Sequence, residues 1–320
     1  MQPRAAGLVL GFVLDRALGD PRRFHPVAGF GTAAAALERR TWADDRAHGV
    51  VHAATLVGAA AALGLAAERA TGAHPVARAI VTAAATWTVL GGRSLEREAV
   101  AVGRHLDAGD LAAAREQVTH LVGRDPSRLG PDDVARATVE SVAENTSDAV
   151  VAPLLAGAVA GVPGLLAYRA ANTLDAMVGH RSERYLHFGW ASARLDDLLN
   201  LVPARVSALL AAACAPLVGG HPSDAVRAWR RDAPQHPSPN AGPVEAAFAG
   251  ALGRTLGGSN VYGGVAEDRG TLGDGPSPGV ADVRRATRLA AAVGVGATVA
   301  AAVVATLSTR DSGSWSPRRP

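Results

Sequence analysis

Three acidic side chains recur at helical spacing in one short segment of the chain. Glu140, Glu144 and Asp148 stand four residues apart, so an α-helix would align them in one row. Carboxylate oxygens are the ligands that Mg²⁺ prefers, and a row of like charges is unfavourable unless a cation neutralises it. The spacing predicts that these residues are catalytic and hold Mg²⁺, with Asn145 binding substrate beside them. The alternative is a solvated helix face paired with Arg136.

A second polar segment, residues 168–200, combines carboxylates, a histidine and arginines. Asn172 and Asp175 share a helix face, and two arginines follow the turn at Gly179. Guanidinium groups form paired hydrogen bonds to phosphate or carboxylate, so an anion-binding site is predicted here. The alternative is a set of internal salt bridges. The candidates are Asp175 and His180 as catalytic residues, Asp196 and Asp197 as metal ligands, and Asn172, Arg181, Arg184 and Arg194 as substrate-binding residues.

Two further segments give weaker signals. Asp15, Asp20 and His25 follow an apolar run and could bind an amine or a hydrated Mg²⁺, although a charged helix end would show the same residue types. Asn240 is a candidate substrate-binding residue in a stretch rich in proline and glycine. Glycine and proline also crowd residues 257–279, which predicts a loop whose backbone N–H groups could face phosphate.

The composition excludes several classes of function. The chain has 320 residues and 32 basic residues, all arginine, so neither a Schiff-base lysine nor a Walker lysine exists. Cys214 is the single cysteine, which excludes an intrachain disulfide and a cysteine-based zinc cluster. The net charge is only +3 and acidic residues are scattered among the arginines, so no nucleic-acid partner is predicted.

The elements that must position these side chains are apolar and long. A helix needs about 20 mainly apolar residues to cross the hydrocarbon core of a bilayer. The sequence predicts an all-α, polytopic integral membrane protein with about four to five hydrophobic helices and polar helical connections. A soluble bundle of Ala-rich helices is the alternative. We expect one membrane-embedded domain over residues 1–308 and a disordered tail over 309–320. The apolar stretches are 50–67, 76–92, 149–167, 201–220 and 289–308.

The arginine distribution predicts the orientation of the chain. Segments 15–49, 93–148 and 221–288 hold 6, 7 and 8 arginines, whereas segment 68–75 holds one. The positive-inside rule places the three rich segments in the cytoplasm, so we expect a multi-pass protein of the cell membrane with cytoplasmic functional loops. Prolines interrupt the stretches that flank 168–200. A broken or re-entrant helix would keep that polar segment on the cytoplasmic side as well.

Several motifs together resemble one protein family. Most of residues 8–265 is covered, and the pairing of the second, third and fourth motifs is long and specific. The motifs are LDRALGDPRRFHPV at 14–27, VAENTSDAVVAP at 142–153, NTLDAMVGH at 172–180, ARLDD at 193–197 and HPSPNAGPVEAAFAGALG at 236–253. The chain resembles the CobD/CbiB family of cobalamin biosynthesis, whose members are described as adenosylcobinamide-phosphate synthases.

The resemblance implies an ATP-dependent amide ligation, with ATP and Mg²⁺ as cofactors. A corrin carboxylate of adenosylcobyric acid is joined to the amine of aminopropanol phosphate. Arginine would bind the phosphates and the corrin carboxyl group, and a carboxylate or His180 would take the proton of the amine. The arginines available for this are Arg124, Arg181, Arg184 and Arg194. The lipid bilayer and other membrane-associated cobalamin enzymes are expected partners.

Two other classes of function stay open from the sequence. A transporter would carry its ionisable residues within the membrane spans. Here they lie mostly at the ends of the apolar stretches and in the connections, with Arg78 and Arg205 as exceptions. A noncatalytic membrane scaffold for other cobalamin enzymes would need no acidic row. Product formation by the purified protein distinguishes both alternatives from a ligase.

Overall fold

Helices make up most of the chain. The computed structural model describes residues 2–20, 25–123, 125–262 and 265–311. In chain order its helices are α1 Pro3–Leu18, α2 Pro26–Thr41, α3 Arg46–Ala70, α4 Pro75–Val89, α5 Gly92–Asp107, α6 Leu111–Val118, α7 Pro131–Thr146, α8 Ala152–Val178, α9 Trp190–Cys214, α10 Pro222–Asp232, α11 Ala241–Leu252 and α12 Val280–Asp311. A π-helical turn, Ser147–Val151, joins α7 to α8, and 3₁₀ turns follow α9 (Ala215–Val218) and α10 (Ala233–Gln235).

Four helical stretches in the described residues are long and apolar enough to cross a membrane. They are Arg46–Ala70, Pro131–Val178, Trp190–Val218 and Val280–Ser308. This confirms the predicted all-α membrane fold. The remaining predicted stretch, 76–92, forms α4, whose 15 residues extend only about 22 Å against a hydrocarbon core of about 30 Å.

The chain divides into two compact units, each assembled from separate parts of the sequence. Unit 1 contains residues 1–91, 152–199 and 298–320, and unit 2 contains residues 92–151 and 200–297. The predicted tail falls mostly on residues 312–320, which lie outside the described residues, and α12 reaches Asp311.

Helices α1 and α4 of unit 1 pack at very short range. Gly7 and Gly11 stand one turn apart on α1 and face Thr82 and Thr86 of α4. A Cβ atom placed on Gly7 would lie only 2.7 Å from Cγ2 of Thr82, and one on Gly11 only 2.7 Å from Cγ2 of Thr86. Small residues four apart let membrane helices approach in this way.

Helix α8 of unit 1 is broken in its middle. Gly161 has φ 67° and ψ −148°, and Pro163 follows inside the helix. A Cβ atom on Gly157 would lie 2.8 Å from Cγ of Leu165, although a straight helix separates residues eight apart by about 12 Å. The chain therefore bends back at Gly161, which confirms the predicted broken helix.

Side chains from two other helices stabilise this break. The N–H of Val162 donates to Oε1 of Glu68 on α3 at 2.9 Å, and Arg4 on α1 donates to the carbonyl of Val159 at 3.2 Å. Backbone groups that a break releases from a helix need other hydrogen-bond partners. Glu68 and Arg4 provide them from within unit 1.

Unit 2 contains a short β-hairpin in a segment for which the sequence predicts a loop. Strand β1, Leu256–Tyr262, pairs antiparallel with β2, Val265–Leu272, and the register shifts between Gly257 and Ser259. The prediction of a loop over 257–279 is wrong for these residues. The strands contain three glycines and no clear alternation of apolar and polar residues, so the pattern that predicts a strand is missing.

Candidate functional site

Glu140 attaches the β-hairpin to α7 in unit 2. Its side chain is almost fully buried, and its Oε1 accepts the N–H of Gly257 at 2.9 Å. Arg136 lies 3.5 Å from the same oxygen and also donates to the carbonyl of Gly257. Both hydrogen-bonding groups of Gly257 are therefore bound to α7. Glu140, one of the predicted metal ligands, already has two partners within the protein.

Glu144 lies one turn further along α7 and has a different environment. Arg269 on β2 and Glu140 are the charged groups that act on its carboxylate. Among the residues that the structure describes, no hydrogen bond holds Glu144. Of the two glutamates on α7, Glu140 is the one that the described residues hold by hydrogen bonds.

Arg269 also contacts a third glutamate, Glu245, which lies in the fully buried helix α11. Nη1 of Arg269 is 3.5 Å from Oε1 of Glu245, whose side chain is 0% exposed. His236 approaches the same oxygen with Nε2 at 3.7 Å. We call Arg136, Glu140, Glu144, His236, Glu245 and Arg269 the unit 2 charged cluster.

The local backbone determines the state of His236. The N–H of Ser238 donates to Nδ1 of His236 at 3.0 Å, so the ring proton of the neutral form is on Nε2, facing Glu245. Burial lowers the pKa of His236 to about 4, and the positive charge of Arg269 adds to the shift. His236 is therefore neutral at pH 7, and its Nε2 faces Oε1 of Glu245 at 3.7 Å, beyond hydrogen-bonding distance.

His236, Glu245 and Arg269 are not among the site residues predicted from the sequence. Glu245 had a detectable signal, because it is the single charged residue in the apolar run AGPVEAAFAGAL. A charge in such a helix indicates a partner or a function. Arg269 had no such signal, since its position beside two glutamates depends on the hairpin.

Asp148 and Asn145, the other two predicted residues of this segment, lie differently from Glu140 and Glu144. Asp148 belongs to the π-helical turn, which is wider than an α-turn, so the i, i+4 alignment of Glu140 and Glu144 does not continue to it. Asn145 donates through Nδ2 to the carbonyl of Ser141 at 3.0 Å. Both residues remain predicted site residues of unit 2.

Asn240 precedes α11 and is bound by an arginine. Nη1 of Arg205 donates to Oδ1 of Asn240 at 3.3 Å and to the carbonyl of Pro239 at 3.0 Å. Asn240 is buried. Its side-chain oxygen therefore contributes to the turn before α11, and its predicted contact with substrate stays a prediction.

Arg184, a predicted phosphate ligand in unit 1, forms a paired contact within the protein. It donates to Oε1 of Glu38 through Nε at 3.3 Å and Nη2 at 3.0 Å, and Tyr185 donates to the same oxygen at 3.0 Å. Its guanidinium carbon lies 4.6 Å from the ring centroid of Trp42. The hydrogen bond to Glu38 raises the pKa of Arg184 further. These contacts favour the salt-bridge alternative for Arg184.

Three other predicted residues surround the turn after α8. Oδ1 of Asp175 lies directly against Gly179, where any side chain would collide with it. His180 is exposed and packs edge-on against Tyr185, with the ring centroids 5.0 Å apart. Arg181 is exposed as well. His180 and Arg181 are thus the members of this turn that solvent and ligands can reach.

The two adjacent aspartates on α9 have separate partners. Nδ2 of Asn172 donates to Asp196 at 3.3 Å, whereas Arg194 pairs with Asp197 at 3.2 Å. Consecutive residues on a helix point about 100° apart, since one turn takes about 3.6 residues. Asp196 and Asp197 therefore do not form one chelating pair.

The remaining predicted residues lie near the first two helices or outside the description. His25 accepts the N–H of Val27 through Nδ1 at 3.1 Å and thereby caps α2. Asp15 is fully buried in the last turn of α1, and Asp20 follows that helix. Arg124 lies outside the described residues.

The described part of the chain contains no group of three or more His, Cys, Asp and Glu side chains that could hold a metal ion. The carboxylates present therefore do not fit a resident Mg²⁺ site built by the protein alone. Mg²⁺ commonly binds one or two carboxylates together with substrate phosphates and water, so an ion that arrives with ATP needs no such group.

Comparison with known proteins identifies the family. The family model described as CobD/Cbib protein matches residues 8–290. The chain belongs to the CobD/CbiB family. It is 55% identical over 304 residues to "Cobalamin biosynthesis protein CobD" of Mycobacterium tuberculosis, covering 95% of this chain and 96% of that protein. Proteins of the same name from Chromobacterium violaceum and Rhodobacter capsulatus are 47% and 42% identical over 287 and 313 residues, covering 88% and 95% of this chain and 90% and 98% of theirs.

The match to the CobD/CbiB family includes every predicted site residue, from Asp15 to Asn240, and the whole unit 2 charged cluster. No solved structure matches the chain. The family resemblance found in the sequence motifs is thereby confirmed.

Proposed function

We propose that this chain is a membrane-embedded enzyme of cobalamin biosynthesis that joins adenosylcobyric acid to aminopropanol phosphate by an amide bond. Membership of the CobD/CbiB family supports the pathway. The observation that carries the proposal is the unit 2 charged cluster, in which Glu144 has no hydrogen bond from the described residues while Glu140 and Glu245 are paired.

The reaction requires activation of a carboxylate and deprotonation of an amine. A carboxylate oxygen of the corrinoid attacks a phosphorus atom of ATP, supplied with Mg²⁺ as co-substrate, and the displaced part of the nucleotide leaves with the electron pair of the broken P–O bond. The amine nitrogen then attacks the activated carbonyl carbon. The phosphate oxygen leaves with the bonding electron pair, and a base takes the proton from nitrogen. In this proposal Glu144 binds the ammonium group and first takes the proton that turns it into the attacking amine. The departing phosphate takes the proton that nitrogen loses as the amide forms, and exposed His180 is the alternative base for the first step.

A half-buried carboxylate suits this role for an electrostatic reason. An ammonium group approaching Glu144 loses water and gains a negative partner at a site where the protein already holds charges in fixed positions. Glu140 keeps α7 attached to the hairpin, and Glu245 keeps Arg269 in place. Glu140 and Glu245 therefore hold in place the groups that surround Glu144.

The broken helix α8 could suggest a transporter instead, because discontinuous helices form the binding sites of many transporters. In those sites the released backbone groups face the substrate or ion. Here Val162 donates to Glu68, and Arg4 donates to the carbonyl of Val159. The break is therefore already occupied by side chains of unit 1, which favours the enzyme.

Single-turnover assays with purified protein in detergent micelles test the proposal. We expect the amide product from adenosylcobyric acid, aminopropanol phosphate, ATP and Mg²⁺, and no product when ATP is left out. The Glu144→Gln variant serves as the control for contaminating activity. Absence of product from well-folded protein overturns the ligase in favour of a scaffold. Uptake of substrate into vesicles without product would instead identify a transporter.

A further inference from the structure

Unit 1 contains a cavity that none of the predicted site residues lines. Its volume is about 320 Å³, and helices α2, α3, α4 and α8 form its wall. The lining is almost wholly apolar and includes Phe30, Leu56, Leu63 and Leu166, with Arg169 as its charged member. The chemistry proposed for the unit 2 charged cluster does not use this cavity.

The cavity lies at the depth of the hydrocarbon core. Helix α3 is one of the candidate membrane spans, and its 25 residues extend about 37 Å. Leu56 and Leu63 are about 15 and 26 Å along that length from Arg46. The α3 wall of the cavity therefore occupies the middle of the span, away from both membrane surfaces.

The cavity is continuous with the surface that faces lipid. Only 17% of the apolar window of α3 is buried in the protein, the lowest share among the four candidate spans. Leu63 at the rim is 66% exposed, and Ala33 on α2 is exposed too, whereas Leu56 and Ala170 inside are 9% and 3% exposed. An apolar chain can thus pass from the bilayer past Leu63 to the interior wall.

We propose that this cavity binds an acyl chain of a bilayer lipid. The side chains that line an empty apolar cavity lack dispersion contacts on one side, and a hydrocarbon chain restores those contacts. It dehydrates few polar groups, since the polar lining residues are Thr88, Arg169 and Thr173. The volume is near the lower end of the range for ligand pockets, about 300–1,000 Å³, which suits a slender chain better than a corrin ring.

Photochemical labelling in vesicles tests this site. The full-length protein is reconstituted with a phospholipid that carries a diazirine at the end of one acyl chain, and labelled peptides are mapped after illumination. We expect adducts on the interior residues Leu56 and Ala170 in addition to the exposed surface of α3. Adducts confined to exposed residues such as Val51 and Leu65 would overturn the proposal.

Two cavity-filling variants and their matched controls sharpen the test. Ala60→Phe fills the cavity from α3, and Ala61→Phe adds the same ring to a neighbouring residue outside the lining. Ala33→Phe at the exposed rim, with Ala28→Phe as its control, serves if the first variant does not fold. We expect interior adducts to be lost in the filling variants and kept in the controls.

Equal labelling of the filling variants and the controls would overturn the site.

Labelling is repeated with adenosylcobyric acid present. Unchanged interior adducts support a lipid, whereas their loss with undiminished surface adducts would assign the cavity to the corrinoid. None of these results depends on ligation, so the lipid site can fail while the proposed function holds, and the reverse.

Discussion

At the residue scale, three glutamates of unit 2 have similar surroundings but different partners. Glu140 accepts a backbone N–H of the hairpin, Glu245 pairs with Arg269, and no described hydrogen bond holds Glu144. Replacing a glutamate that has structural partners by glutamine should lower the stability of the folded protein. Replacing a glutamate without such partners should lower the rate of ligation instead.

Glu144→Gln should abolish ligation without unfolding the protein. Glutamine keeps the size of the side chain, so no cavity forms, but it can neither bind an ammonium ion strongly nor accept its proton. We expect a loss of about a hundredfold or more in single-turnover rate, equivalent to about 3 kcal/mol in the barrier. The thermal midpoint and membrane location should stay close to those of the wild type.

Glu140→Gln is the matched control, one turn earlier on the same helix. Glutamine can still accept the N–H of Gly257, but the charged partner of Arg136 is lost. We expect a lower thermal midpoint, reflecting about 1–3 kcal/mol for a buried charge whose partner is removed. If Glu140→Gln keeps its stability while Glu144→Gln unfolds, the roles assigned to the two residues are reversed.

Arg184→Lys and Arg181→Lys should separate a structural arginine from a ligand-binding one. Lysine cannot reproduce the paired contact of Arg184 with Glu38 or its planar stacking on Trp42, so Arg184→Lys should lower the thermal midpoint. Arg181 is exposed, so Arg181→Lys should leave stability unchanged and weaken use of phosphorylated aminopropanol more than the free amine. A selective substrate effect in Arg184→Lys at unchanged stability would contradict this division.

His236 should make unit 2 sensitive to acid. Its pKa is about 4 in the folded chain against an ordinary value of 6.5, so between these values the unfolded chain binds the additional proton. The stabilisation is complete above pH 6.5 and is lost as the pH falls to 4, by about 3 kcal/mol in total. Thermal midpoints in detergent should show the advantage of the wild type over His236→Asn shrinking across this range. His221→Asn, at an exposed site, should leave the pH dependence unchanged.

The sequence predicted individual site residues only where neighbours along the chain define the environment. The spacing of Glu140 and Glu144 sufficed to place them on one helix face. The pairing of Arg184 with Glu38 joins residues 146 positions apart, and that of Arg269 with Glu245 joins residues 24 apart. No local sequence pattern indicates such contacts. Arg184 was therefore predicted to bind phosphate although it pairs with Glu38, and Arg269 was not predicted as a site residue.

At the element scale, the contact of α1 with α4 depends on two glycines. Gly7→Ala should disrupt it, because the new methyl group would overlap Thr82 of α4, and overpacking costs about 1–3 kcal/mol. Gly58→Ala on α3 is the control, since nothing lies within 4 Å of its added carbon. That variant should be neutral or more stable by up to about 1 kcal/mol, because alanine favours helix. Similar thermal midpoints for the two variants would disprove the close approach of the helices.

Apolar length predicted the helices well, but it did not predict their continuity or the hairpin. The stretches at 50–67, 201–220 and 289–308 lie in candidate spans, because a charge-free run of about 20 residues has few other stable forms. The stretch at 149–167 contains the break at Gly161, which its proline made predictable. The hairpin was missed because glycine-rich strands lack the pattern that identifies a strand.

At the scale of the whole molecule, the break in α8 has a consequence for topology. Within unit 1, Arg184 contacts Glu38, and His187 lies 3.0 Å from Asp44. The polar segment 168–200 therefore lies at the same end of the helices as segment 15–49. Helix α3 separates that end from the turn at residues 71–74, since its 25 residues extend about 37 Å.

Reporter fusions should place residues 44 and 190 on one side of the membrane and residue 72 on the other. A straight α8 that crossed the bilayer would put residue 190 opposite residue 44, whereas the bend at Gly161 returns the chain to the side from which it came. Segment 15–49 holds six arginines and segment 68–75 holds one, so we expect the shared side to be cytoplasmic. Fusions at 44 and 190 with opposite readings would show that α8 spans the membrane and would refute the re-entrant arrangement. Concordant readings on the outer side would keep the bend and overturn only the orientation, which depends on the arginine counts alone.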